Sequence, residues 1–312
     1  MVRGLPALLV EAFSEEPLGG NGAAVVRLAD PAPAPWMGRV AARLRQSETA
    51  FLLAVEGAWA LRWFTPTQEV PLCGHGTLAA LLALGHWNLL AEDQAITFHT
   101  ASGPLRGQPL MAAPSPNPHQ PPRAQLELPQ FTLEPMAAPP PLEAWLRERL
   151  GHPLERFWHS TLGYQVALVP PAAPLAHLQG VAESLTGQAR RGLVLTQAMP
   201  SGAQTGPRVA GERADYQLRF FAPGLGIDED PVTGSAHALV APFWMEELQR
   251  SRVVGWQCSD RPGGMVCEAG SSGMIRLTGS GHLLWEGTLW AEPERCSRPA
   301  EIFHDWRRAC GL

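Results

Sequence analysis

Two short segments carry residues suited to binding an anion. Gly74-His75-Gly76-Thr77 and Thr233-Gly234-Ser235 each stand directly before an Ala/Leu-rich run. Small residues at a helix start leave backbone N–H groups open, and these donors combine with the helix dipole into an anion site. Two such starts predict a clamp that holds a carboxylate and a developing enolate-like charge. Capping by Thr77, Asp230 or Ser235, with Pro231 as a first-turn proline, would account for either start alone. Their recurrence at matching points favours ligand binding.

Candidate acid–base groups lie beside these starts. Glu48, in Ser47-Glu48-Thr49-Ala50-Phe51, precedes an apolar strand. A carboxylate there serves as base or acid if burial raises its pKa, though a solvated strand-edge acid has the same local sequence. His75, between two glycines, can donate to a substrate oxygen or relay a proton; it can equally bond a backbone carbonyl. Asp230 closes the run Asp228-Glu229-Asp230. Such a run either orients substrate or forms an acidic first helical turn. Cys73 could abstract a proton as a thiolate. A two-thiol mechanism needs a second cysteine in the other copy, and setting Gly76-Thr77 against Gly234-Ser235 puts Pro231 there.

The elements that must position these groups form a repeat. LRWFTPTQEVPLCGHGTLAALLAL, from Leu61, matches LRFFAPGLGIDEDPVTGSAHALVAPFW, from Leu218, and strand-like runs Ala50–Val55 and Leu193–Thr196 precede the copies. Both helices are apolar nearly all round and must be buried. The expected fold is therefore α+β, with two pseudo-symmetric lobes, each of mostly antiparallel strands around a central apolar helix. Domain expectations are an N-terminal lobe over 1–118, with 291–312 packing back on it, and a C-terminal lobe over 119–290. A Pro-rich linker, Gln108–Pro141, contains a strand at Ala124–Leu128, and a helix at Leu142–Leu150 stops at Gly151. A polar insertion runs from about 198 to 214.

Composition prunes the chemistry. All 24 basic residues are Arg, so internal Schiff bases and a Walker-A loop are unavailable. The five cysteines form no CxxC pair, and HExxH, GxSxG and EF-hand patterns are absent, so neither a metal nor a cofactor is expected. A net charge of −5 without Arg clusters does not support nucleic-acid binding. Leu5–Val10 stops at Glu11 without signal-peptide form, and the longest apolar helix is too short for a membrane, so a cytoplasmic protein is expected.

EAFSEEPLGGNGAAVV (from Glu11), SETAF (from Ser47), FTPTQEVPLCGHGTLA (from Phe64) and FAPGLGIDEDPVTGSAHALV (from Phe221) occur in the order of the PhzF-like (phenazine biosynthesis) family, which the chain resembles. GSGHLLWEGTLW, from Gly279, resembles that family's last Gly-bearing strand pair. The resemblance implies a diaminopimelate-epimerase-like fold, a cleft between lobes, cofactor-independent isomerisation and a homodimer. It implies Glu48 as proton shuttle, with His75, Asp230 and Ser235 holding substrate and assisting transfer. Gly74, Gly76, Thr233 and Gly234 fall in the helix-start loops. Gly22 stands where a Pro is common in the family, and the insertion and Pro-rich linker leave the substrate open.

The expected activity is thus isomerisation of a small carboxylated substrate, catalysed by Glu48, His75 and Asp230. Gly74, Gly76, Thr77, Thr233, Gly234 and Ser235 would bind it. Two alternatives are an amino-acid epimerase or racemase using Cys73, and a non-catalytic small-acid-binding protein.

Overall fold

The computed structural model describes residues 4–91, 93–110, 121–200, 206–271, 273–291, 293 and 299–312. The Pro-Ser-Pro-Asn-Pro run, the expected 118/119 boundary, Cys296 and residues 201–205 of the insertion lie outside the described residues.

The chain forms two compact units, 1–127 with 278–312, and 128–277. The first contains β1 (Leu5–Ala12), β2 (Asn21–Leu28), α1 (Ala34–Leu44), β3 (Glu48–Val55), β4 (Ala58–Phe64), β5 (Glu69–Val70), α2 (Gly74–His86), β6 (Ile96–Thr100), β7 (Gly103–Leu110) and the start of β8 (Arg123–Pro129). The second contains β9 (Leu133–Pro135), α3 (Pro140–Leu150), β10 (Arg156–Ser160), β11 (Gln165–Leu168), α4 (Val181–Ser184), β12 (Leu193–Ala198), β13 (Arg208–Val209), β14 (Glu212–Arg213), β15 (Tyr216–Ala222), β16 (Ile227–Asp230), α5 (Gly234–Glu247), β17 (Arg252–Gln257) and β18 (Gly263–Ala269). The long strand β19 (Met274–Leu289) leads back to the first unit, where α6 (Pro299–Cys310) ends the chain.

Pairing reproduces the repeat strand by strand. Parallel pairs β2–β3 and β4–β6 correspond to β11–β12 and β15–β17. Antiparallel pairs β3–β4, β4–β5 and β6–β7 correspond to β12–β15, β15–β16 and β17–β18. In the first unit α2 packs against β1, β2, β3 and β7, and in the second α5 packs against β17 and β18. This explains why neither helix has a polar face: each buries residues around most of its circumference. Glycines permit close approach. A Cβ at Gly281 would lie 2.6 Å from Leu82 Cδ1, and one at Gly255 would lie 2.4 Å from His237 Nδ1. The ring of His237 is fully buried and bonds the Tyr216 hydroxyl at 2.8 Å; burial lowers its pKa to about 3.

Each unit also repeats one buried ion pair. Arg62 on β4 meets Glu69 on β5 through two bonds of 2.7 and 2.8 Å, and Arg219 on β15 meets Glu229 on β16 through bonds of 2.7 and 2.6 Å. Both guanidinium groups are nearly inaccessible; burial opposes their charge, and the carboxylates more than compensate, so both stay above their usual pKa. Arg62 adds Asp305 of α6 at 2.8 Å, whereas Arg219 donates to the carbonyls of Leu175 and Leu178.

Several sequence expectations shift. β8 pairs with β7, so the first unit continues to Glu127, and the C-terminal half of β19 pairs with β1, so the chain rejoins that unit at Thr278. Gly279–Leu289 is one stretch of β19 and not a strand pair. The described part of the insertion holds the small hairpin β13–β14. The linker strand is β8, and α3 does stop at Gly151, which takes φ 70° in the left-handed region that glycine tolerates. Among the described residues, no helix is long and apolar enough to cross a membrane.

Candidate active site

In the first unit, the start of β3 and the first turn of α2 bring Glu48, Cys73 and His75 together. Glu48 opens β3, paired with Ala23 of β2, and its side chain is buried. Glu48 Oε2 lies 2.7 Å from His75 Nε2. The contact is short, yet Oε2 accepts no well-aligned hydrogen bond. A buried carboxylate oxygen in that state is an exception among native polar groups and makes Glu48 a candidate for acid–base chemistry. On the far side of the ring, the Asn21 amide nitrogen lies 3.2 Å from Nδ1. There it donates to a neutral ring; turned end for end, the amide would offer its oxygen to a charged one.

The pKa of His75 stands well above the ordinary histidine value. Burial alone would lower it, and Cys73 and Glu48 overcome burial. Burial raises the pKa of Cys73, as does Glu48, while His75 and the Gly76 N–H pull it back without undoing the rise.

Cys73 has a structural task as well. It is the N-cap of α2, and Sγ accepts from the Gly76 N–H at 3.2 Å. The Thr77 N–H and hydroxyl both donate to the Cys73 carbonyl, at 3.2 and 2.6 Å. Gly76 and Thr77, read from sequence as anion donors, are thus engaged within the helix start; Gly74 and His75 are the remaining first-turn residues.

Glu48, Cys73 and His75 also offer metal-ligand atoms within 4.8 Å of one another. Two ligands about 2 Å from one tetrahedral zinc stand about 3.3 Å apart. The 2.7 Å Glu48–His75 contact is tighter than a common zinc would set and fits a direct ion pair better.

The second unit assembles the other set. β16 ends at Asp230, and α5 begins at Gly234 with Thr233 as N-cap. The three acids are therefore on a strand, not in a first helical turn, and Pro231 precedes the helix. Their roles separate: Asp228 is exposed, Glu229 is held by Arg219, and Asp230 is buried. Thr233 does not cap α5 with its side chain but donates its hydroxyl to Asp230 Oδ2 at 2.5 Å. Ser235 is half-buried in the first turn. Gln257, at the end of β17, bonds the Thr233 N–H at 2.8 Å and the Asp230 carbonyl at 2.5 Å.

Helix starts also fix the register of the repeat. α2 and α5 begin four residues after β5 and β16 end, so Cys73 corresponds to Thr233, His75 to Ser235, and Val70 to Asp230. The alignment through Gly76-Thr77 and Gly234-Ser235 is two residues out. The counterpart of Cys73 is a hydroxyl, not Pro231.

A comparison of the sequence with known families decides its membership. The family described as phenazine biosynthesis-like protein (PhzC-PhzF) matches residues 10–287. The chain belongs to the PhzF-like family. A human phenazine biosynthesis-like domain-containing protein is 31% identical to it, over 92% of this chain and 99% of the relative. A Pseudomonas aeruginosa protein named as an uncharacterized isomerase is 34% identical, over 83% and 88%. A crystal structure of a PhzF-family protein from Enterococcus faecalis is similar at a TM-score of 0.76 and 28% identity, covering 93% of this chain and all of that one. A probable proline racemase from Agrobacterium radiobacter shares the fold at a TM-score of 0.60 and 12% identity, over 98% and 99%. The PhzF-like fold thus has the two-lobed α+β architecture related to diaminopimelate epimerase.

Sequence reasoning missed Asn21, Gln257 and the Arg–Glu pairs. Only the pairs left a signal: the repeated Arg before two aromatics, followed in each copy by a Glu near a helix start.

Proposed function

We propose that the chain is an isomerase that needs no cofactor and moves a proton between two carbons of a small carboxylated substrate. Isomerase-named relatives support the class of reaction. The observation that carries the residue assignment is the buried Glu48 oxygen, 2.7 Å from His75 and without an aligned hydrogen bond. Glu48 takes the proton from a carbon activated by the substrate carboxylate and returns it to another carbon on the same face. His75 steadies the charge of Glu48 and binds a substrate oxygen. Asp230 orients a polar group of the substrate. Ser235 and the first-turn N–H groups of α5 hold the carboxylate, with Gly74 of α2 leaving room for it.

The Cys73 epimerase reading is weaker. The sulfur caps α2, burial keeps it protonated, and Thr233 stands at the position of a second thiol. Glu48→Gln keeps shape and removes the base. Small unsaturated and hydroxylated carboxylic acids in heavy water, followed by NMR, test the assignment. The wild type should place deuterium on carbon, and the variant should lose at least about two powers of ten in rate. Normal exchange by a folded Glu48→Gln variant would falsify the shuttle; no exchange by the wild type with any acid it binds would favour a binding protein. The expected homodimer is checked by light scattering of the same preparation.

A further inference from the structure

We infer that Gln257 is a positioning residue for Asp230, setting the direction of the hydrogen bond that its carboxylate receives; the role in turnover rests on the function proposed above. Gln257 is fully buried on β17, and its amide spans both ends of the Asp230–Thr233 turn. Its orientation follows from its partners. A backbone N–H can only donate, so the atom 2.8 Å from Thr233 N is Oε1; a carbonyl can only accept, so the atom 2.5 Å from Asp230 O is Nε2. Nε2 also donates to Thr233 Oγ1 at 3.3 Å. That hydroxyl, already receiving a proton from Gln257, directs its own to Asp230 Oδ2 at 2.5 Å. Gln257 thus makes Thr233 a donor, and Asp230 an oriented acceptor.

The other half of the repeat shows that helix-start architecture alone does not require this arrangement. Gln257 lies opposite Leu218 in the β15–β17 pair. The parallel β4–β6 pair, continued one residue beyond Ala60↔His99, places Thr100 opposite Leu61, the equivalent of Leu218. The Thr100 hydroxyl turns back into its own hairpin, to the Gly103 carbonyl at 2.6 Å. The strand before α2 ends in Val70, which has no charge to orient. The glutamine clamp accompanies the aspartate, while the Arg–Glu pair is common to both halves. Ser259 secures the same turn through the Pro231 carbonyl at 2.8 Å, so its backbone has support besides Gln257.

Gln257→Glu is the closest test, since it keeps shape and replaces the donor nitrogen with an acceptor. A crystal structure of the full-length variant should show Thr233 turned toward the introduced carboxylate and its bond to Asp230 Oδ2 lost. With an acid that the wild type deuterates, kcat should fall roughly ten- to a hundredfold, with KM changed less than about threefold. Thr233→Val should lower kcat similarly, and the double variant should be no worse than either alone. An intact Thr233–Asp230 bond in the variant crystal, or an unchanged kcat, overturns the inference. If Gln257→Glu does not fold, the kcat of Thr233→Val decides it alone. Normal turnover by Glu48→Gln would instead refute the proton-shuttle reading, and the crystal geometry would still decide the clamp.

Discussion

Breaking the Arg219–Glu229 pair should loosen the strand that carries Asp230 by an amount that the structure bounds. Glu229→Ala removes two charge-assisted bonds of 2.7 and 2.6 Å from a guanidinium whose side chain is 4% exposed. Removing one partner of a buried pair costs about 3–5 kcal/mol, mostly because the remaining charge is uncompensated. Two features reduce that cost here. The Glu229 side chain is 19% exposed, so water already screens part of the attraction, and Arg219 keeps the carbonyls of Leu175 and Leu178. The low end, about 3 kcal/mol, is the expected loss, which is roughly a hundredfold in an opening equilibrium. Hydrogen–deuterium exchange resolves this for one unit of a two-unit chain, where a single unfolding midpoint would not. Ladder amides of β15 and β16 that exchange through opening of their unit should speed up by about that factor, and those of β3 and β4 should not. Replacing Arg219 and Glu229 together with methionine should recover most of the loss. Acceleration below about fivefold in Glu229→Ala, or a double variant worse than the single one, would refute the account.

Three further outcomes are expected. Iodoacetamide should alkylate Cys73 in the native protein at neutral pH at least about tenfold more slowly than in urea, because burial and a raised pKa suppress the thiolate; peptide mass spectrometry reads this directly. The two buried histidines should give opposite pH effects. His75, raised above its unfolded value of about 6.5, contributes stability that is complete below that pH and is lost as pH rises through the folded pKa. His237, lowered to about 3, contributes stability that is complete above the unfolded value and is lost as pH falls toward 3. Imidazole NMR at pH 5 should find His237 neutral and His75 charged. Trp306→Ala should cost about 3–5 kcal/mol and release α6, since the ring is fully buried and its N–H bonds the Ala32 carbonyl at 2.8 Å; exchange in α6 should rise first.

The parts of the fold set by local chemistry were legible in the sequence. Apolarity on every side of the runs after Gly76 and Gly234 required buried helices, and Gly151 stopped α3 where a left-handed residue was needed. A place before an apolar strand did not by itself single out Glu48; the SETAF resemblance did, and only folding puts it 2.7 Å from His75. The repeat register was misread by two residues because a Gly-Thr pair resembles a Gly-Ser pair. Equivalence is set by where the preceding strand ends, and that depends on sheet pairing. Gln257 had no local signal at all: a lone glutamine after a β-rich run acquires its partners only when β17 lies beside β15.

The closed start of α2 has a consequence for how the two halves divide their work. Its N-cap sulfur accepts from the Gly76 N–H and the Thr77 hydroxyl donates to the Cys73 carbonyl, whereas the Thr233 side chain leaves α5 uncapped in favour of Asp230. The two equivalent helix starts are thus built differently. The start of α2 is closed by its own groups and that of α5 has no side-chain cap; in the function proposed above, the first would mount His75 against Glu48 of β3 and the second would receive an anion. On that proposal, competing salts should weaken ligand capture through α5 while leaving the contact between His75 of α2 and Glu48 of β3 unchanged.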